Sequence, residues 1–127
     1  MPNFQSSNYD LFDRSLVFAA DVAKMVNNLP TNKVLEEYSK QLIRSSASIG
    51  ANLQEADGAL TKRDFVHKLG IARKEAKESW FWLRLIKQTG FVTDKLQLVK
   101  IDALIQEAKE LKLILSSIIQ KIQNKSK

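Results

Sequence analysis

Asp64 and His67 come closest to a reactive pair in this chain. Their i, i+3 spacing places both on one face of a helix. Glu55, Glu75 and Glu78 lie on the same or the adjoining segment. Carboxylates and imidazoles converging inside a helical bundle are the ligand set of a di-iron or di-manganese centre. Such a centre draws a Glu-x-x-His pair from each of two helices, and this chain has a single histidine. It has no cysteine to supply a thiolate. No metal and no other cofactor is therefore expected. Ser45, Ser46 and Ser48 are plentiful hydroxyls, but no nucleophile elbow surrounds them. Nor is there a glycine loop to cradle a phosphate. The chain does not read as an enzyme.

The same residues fit a structural role better. A helical hairpin folded about Gly58–Leu60 sets Arg44 near Glu75, Asn52 near His67 and Glu55 near Arg63. Lys74 and Glu78 extend this into a polar layer between the two helices. Charges removed from water need such partners, and a layer of this kind helps set register.

A third group is basic: Lys62, Arg63, Lys68, Arg73, Lys77, Arg84 and Lys87, with Lys74 among them. These are the candidate contacts to RNA or DNA, with Trp80 and Phe81 interleaved as aromatic rings on which bases can stack. On a helix the whole set is not expected to share one face. Trp80 is offset from the apolar stripe, and a subunit contact is the first reading of it.

Four helical segments must position these groups, over about 10–28, 32–56, 62–89 and 94–123. In the first, Leu11, Phe18, Val22, Met25 and Leu29 make an apolar stripe interrupted by Ser15, and Pro30 ends it. Thr31 or Asn32 caps the second. Its middle, Ser45 to Ala51, is rich in small residues. That permits close approach of a neighbouring backbone, with a kink at Gly50 as the alternative. Thr61 with Asp64 resembles a capping box for the third helix, and Gly90 suits a left-handed stop. Its buried stripe is Phe65, Leu69, Ala72, Ala76 and Leu83.

Thr93 is expected to cap the fourth helix. There Ile101, Leu104, Ala108, Leu111, Leu115, Ile118 and Ile122 keep strict three–four spacing. Leu98, Ile105, Ile114 and Ile119 give more apolar width than one core needs. The polar tail 123–127 is expected to fray. Short connections predict a single all-α domain, an antiparallel up-down-up-down four-helix bundle.

The net charge of +6 is unevenly placed. Residues 1–30 and 31–60 each carry −1, residues 61–90 carry +5, and residues 91–127 carry +3. That asymmetry points to an anionic partner. The N-terminal stretch lacks the basic-then-apolar pattern of a secretory signal, and no apolar run approaches a membrane span. A cytoplasmic protein that does not enter the membrane is expected.

The motif S-x-S-I-G-A-N-L-Q-E-A spans Ser46 to Ala56, and T-K-R-D-F-V-H-K-L-x-I-A-x-K-E-A-x-E-S spans Thr61 to Ser79. With W-L-R-L-I, Trp82 to Ile86, they resemble the bacterial 23S rRNA intervening-sequence, or S23-type, proteins. The polar positions matching that pattern are Asn52, Glu55, Asp64, Lys68, Lys74, Glu75 and Glu78; Trp80 matches no fixed family residue. The resemblance implies an antiparallel bundle that assembles as a homopentamer. Family members occur in insertions within 23S rRNA genes and also as free-standing genes. The fold it implies is similar to the accessory variability determinant of diversity-generating retroelements, a basic pentamer that works with a reverse transcriptase and nucleic acid. Together these readings anticipate a non-catalytic homo-oligomer that binds RNA or DNA. The alternative is a scaffold for a protein partner that ignores nucleic acid.

Overall fold

Helix-forming sequence is interrupted at three short connections, and the computed structural model places its helices between them. The described residues are 4–125, with side chains from Leu11 onward. They form α1 (Phe4–Asn27), α2 (Lys33–Asp57), α3 (Lys62–Gln88) and α4 (Lys95–Lys125). No strand occurs among the described residues, so the protein is an all-α, four-helix structure. α1 begins six residues before the expected Asp10, because neither proline nor glycine interrupts Phe4 to Asp10. α4 stays helical into the polar tail as far as Lys125.

Local chemistry accounts for the ends. Asn32 is the α2 cap, its Oδ1 accepting from the Val34 and Leu35 amides at 2.9 and 3.0 Å. Thr61 caps α3, its Oγ1 accepting from the Asp64 amide at 3.1 Å. At α4 the cap is Asp94 rather than Thr93. The Asp94 carboxylate accepts from the Gln97 amide at 2.9 Å, and its negative charge suits the helix N-terminus better than a hydroxyl. Gly90 adopts φ 74°, the left-handed conformation that lets the chain leave α3.

Long-range pairs define the helix directions. Arg44 meets Glu75 and Glu55 meets Lys68, so partners fall along α3 as numbers rise along α2. Lys87 meets Asp102, and Lys112 reaches back to Trp80, which makes α3 and α4 antiparallel as well. Arg14 pairs with Glu107, and the Gln97 amide donates to the Asn28 carbonyl, the same relation between α1 and α4. α2 and α3 share the most extensive interface, whereas α1 and α4 share the least.

The core runs the length of the bundle through Phe18, Leu42, Leu53, Phe65, Leu83 and Leu111, each almost wholly buried. The small-residue stretch of α2 lies within an unbroken helix. Gly50 faces Ser15 of α1 so closely that a Cβ there would sit 2.9 Å from Ser15 Oγ. Ser15 itself is fully buried and donates to the Phe12 carbonyl at 2.6 Å. The apparent interruption in the α1 stripe is therefore the contact point with α2.

On α4 the seam departs from a strict heptad near its end. Ile119 is buried and Ile118 only half-buried, the reverse of the expected assignment. A straight helix drifts about 20° per heptad against a 3.5-residue repeat, so a late seam position moves one residue on. Among the described residues no helix is long and apolar enough to cross a membrane. Leu16 and Val17 of α1, Ile43 of α2, Phe81 of α3 and Leu113 of α4 remain exposed on the surface.

Candidate nucleic-acid interface

The α2–α3 seam carries a polar layer, with partners that differ in part from those expected. Arg44 donates to Glu75 at 2.7 Å and to Glu78 at 2.6 Å, one guanidinium bridging two carboxylates a helical turn apart. Glu75 is buried and Glu78 half-buried. Hydrogen bonding with Glu75, then the bond and charge of Arg44, holds Glu78 below its ordinary 4.5, against the opposing effect of burial. The hydrogen bonds to Glu78 and then Glu75 raise the Arg44 pKa still further. Lys74 is exposed and adds only its charge to the field at Glu78.

Two expected contacts are replaced. Glu55 pairs with Lys68 at 3.4 Å instead of Arg63, because Lys68 lies on the α2 flank of α3 and Arg63 on its outer face. Asn52 does not reach His67; its amide donates to the Ser48 carbonyl at 2.8 Å, one turn back on its own helix. His67 is exposed.

A serine pair completes this seam. Ser45 and Ser79, both fully buried, have their hydroxyl oxygens 2.8 Å apart, and Ser79 donates to the Glu75 carbonyl at 2.9 Å. The signal was present in the sequence: Ser79 falls three residues after Ala76 and four before Leu83, inside the buried stripe. Ser46 donates to the Ile43 carbonyl and Ser48 to the Arg44 carbonyl. Among the described residues none of these three α2 hydroxyls is hydrogen-bonded to an activating base. Among the described residues no three His, Asp or Glu side chains gather to hold a metal ion.

The basic residues divide by face. Advancing 100° per residue, Lys62, Arg73, Lys77, Arg84 and Lys87 fall within an arc of about 80° on α3. These five therefore share a face, although the basic set as a whole does not. Lys68, on the opposite flank, belongs to the α2 seam. Arg63 and Lys74 lie outside the stripe.

The stripe borders α4, which adds Lys109 and Lys112 beside it. Among the described residues Arg73, Lys77, Arg84, Lys109 and Lys112 have no carboxylate within ion-pair distance; Lys87 has Asp102 at 2.6 Å. Trp80 lies within the stripe and is half-buried. The Arg84 guanidinium carbon stands 4.2 Å from the Trp80 ring centroid, and Lys112 Nζ stands 5.1 Å from it. Together they form a positive surface running from α3 onto α4 with an indole set in it.

The geometry thus defines an all-α four-helix protein whose distinctive surface is cationic and whose interior holds no catalytic constellation among the described residues. Residues 7–123 match the family model for the 23S rRNA-intervening sequence protein, and the chain belongs to that family. It is similar to a Bacteroides thetaiotaomicron protein of unknown function from the S23 ribosomal protein family, whose crystal structure was determined at 1.70 Å. The two are 36% identical with a TM-score of 0.74, over 85% of this chain and 96% of that one. No curated protein matches the chain.

Proposed function

We propose that this protein is a non-catalytic homo-oligomer that binds RNA or DNA through the α3–α4 basic surface. The observation that carries the reading is the shared face of Arg73, Lys77 and Arg84, continued on α4 by Lys109 and Lys112. Cations without carboxylate partners release counterions when they meet phosphates, and that release dominates nucleic-acid affinity. Assembly would repeat the stripe in every copy and multiply a modest single-site affinity. The exposed apolar residues Leu16, Val17, Ile43 and Phe81 support such assembly. A pentamer is the expected form, and light scattering on the purified protein measures it.

The test is retention of structured RNA, single-stranded RNA and duplex DNA by the protein across a salt series. Binding near physiological salt that weakens linearly with log salt is expected. Retention of none of them, or retention indifferent to salt, overturns the reading. The same apolar surface favours a second reading, a scaffold for a protein partner. A defined oligomer that captures a specific protein and ignores every nucleic acid would establish it instead.

A further inference from the structure

At the Gln88 end of the stripe the surface sinks into an open groove of about 560 Å³ between α3 and α4. Arg84 and Lys87 stand on one bank and Lys109 on the other, while Trp80 and Ile105 supply apolar lining. Gln88 and Gln106 add side-chain amides, each with both donor and acceptor atoms. Asp102 is the one carboxylate in the lining, and Lys87 neutralises it. This combination of cationic banks, an aromatic surface and uncharged amides differs from the rest of the stripe, which is charge alone.

We infer that this groove receives an unpaired base of a single-stranded nucleic acid, seated on the Arg84 guanidinium that Trp80 supports. The inference rests on the nucleic-acid reading above and narrows it to single strands. Splayed-out bases stack on aromatic rings and on the planar guanidinium of arginine. Arg84 suits that role because it is exposed, has no carboxylate to turn it away, and is held against an indole. Lys109 on the opposite bank can then meet a phosphate flanking the base. The glutamine amides lie within the same groove for contacts to base edges. A duplex cannot use the site, because its bases already stack on one another and present no free face. It can still meet the stripe through phosphates.

The experiment is fluorescence anisotropy of a labelled oligothymidylate and a labelled DNA duplex of equal length, titrated with full-length protein. The wild type is compared with Arg84→Lys, Trp80→Ala and Trp80→Phe, and with Arg73→Lys as a control elsewhere on the stripe. Arg84→Lys keeps the charge but removes the planar surface. It is expected to weaken single-strand binding about ten-fold, within the range for loss of one stacked base. Duplex binding and the salt slope should stay the same. Trp80→Ala should act likewise, Trp80→Phe less, and Arg73→Lys not at all.

Circular dichroism melting separates binding loss from unfolding in Trp80→Ala, and the exposed Arg84→Lys keeps the test decisive if that variant melts early. Unchanged single-strand binding in Arg84→Lys, or equal losses on both ligands, overturns the inference. A wild type that binds the duplex but not the single strand also overturns it, and leaves the broader reading standing. A wild type that binds neither removes both.

Discussion

Arg44 serves two carboxylates of unequal burial, and that inequality determines what its loss costs. Removing it strands Glu75, which is only 6% exposed, without its charged partner. Arg44→Ala should therefore cost about 1–3 kcal/mol, the penalty for leaving a buried polar group unsatisfied. Lys40→Ala breaks a pair with Glu37 in which both partners are largely exposed, and should change stability by less than about 0.5 kcal/mol. Urea unfolding of both variants checks the contrast; equal effects would show that the seam is solvated throughout.

The depressed Glu78 pKa has a defined sign. A carboxyl whose folded value lies below its unfolded one contributes stability that is present above the unfolded value. That contribution is lost as pH falls from 4.5 through the folded value. Arg44 titrates too high to matter in this window. The gap in melting temperature between wild type and Glu78→Gln should hold from pH 7 to 5 and narrow below pH 4.5. Exposure of the pair keeps the gap modest.

At the scale of the helix, α1 docks on α2 at Gly50 and Ser15. Glycine inside a helix costs about 1 kcal/mol relative to alanine. An alanine Cβ would meet only the Ser15 hydroxyl closely, its next neighbour being Ser15 Cβ at 3.7 Å. Gly50→Ala alone should be nearly neutral, its helical gain offset by displacement of Ser15 Oγ. With Ser15→Ala already made, the same substitution should stabilise by about 1 kcal/mol. A double-mutant cycle by chemical denaturation reads the coupling. Additive effects would mean the two helices do not meet there.

At the scale of the molecule, the basic residues act through the face they occupy. Neutralising Arg73 or Lys77 to Gln should lower the salt slope of nucleic-acid binding by about one each. Arg63→Gln and Lys74→Gln, which remove the same charge outside the stripe, should leave the slope unchanged. The net charge falls equally in all four, so the comparison isolates position from overall attraction. Uniform losses in all four would assign the binding to net charge instead.

The sequence by itself determined the four helices, most of their core stripes, the Thr61 cap and the Arg44–Glu75 pairing, and it narrowed the α2 cap to Thr31 or Asn32. Those features follow from local periodicity, breakers and hairpin register, which are written in consecutive residues. It also carried the family, through a motif spanning α2 and α3. Tertiary structure decided what depends on neighbours from elsewhere in the chain. Ser15 looked like a flaw in a stripe until Gly50 was set against it. Glu55 chose Lys68 over Arg63 by flank, and Ile119 displaced Ile118 through helical drift over several turns. Lys112 joined Arg84 and Trp80 in one surface only when α4 folded back antiparallel to α3, since residues on different helices share a face only through packing. The physical division is one of range: the chain states its own periodicity, while a surface belongs to helices that meet.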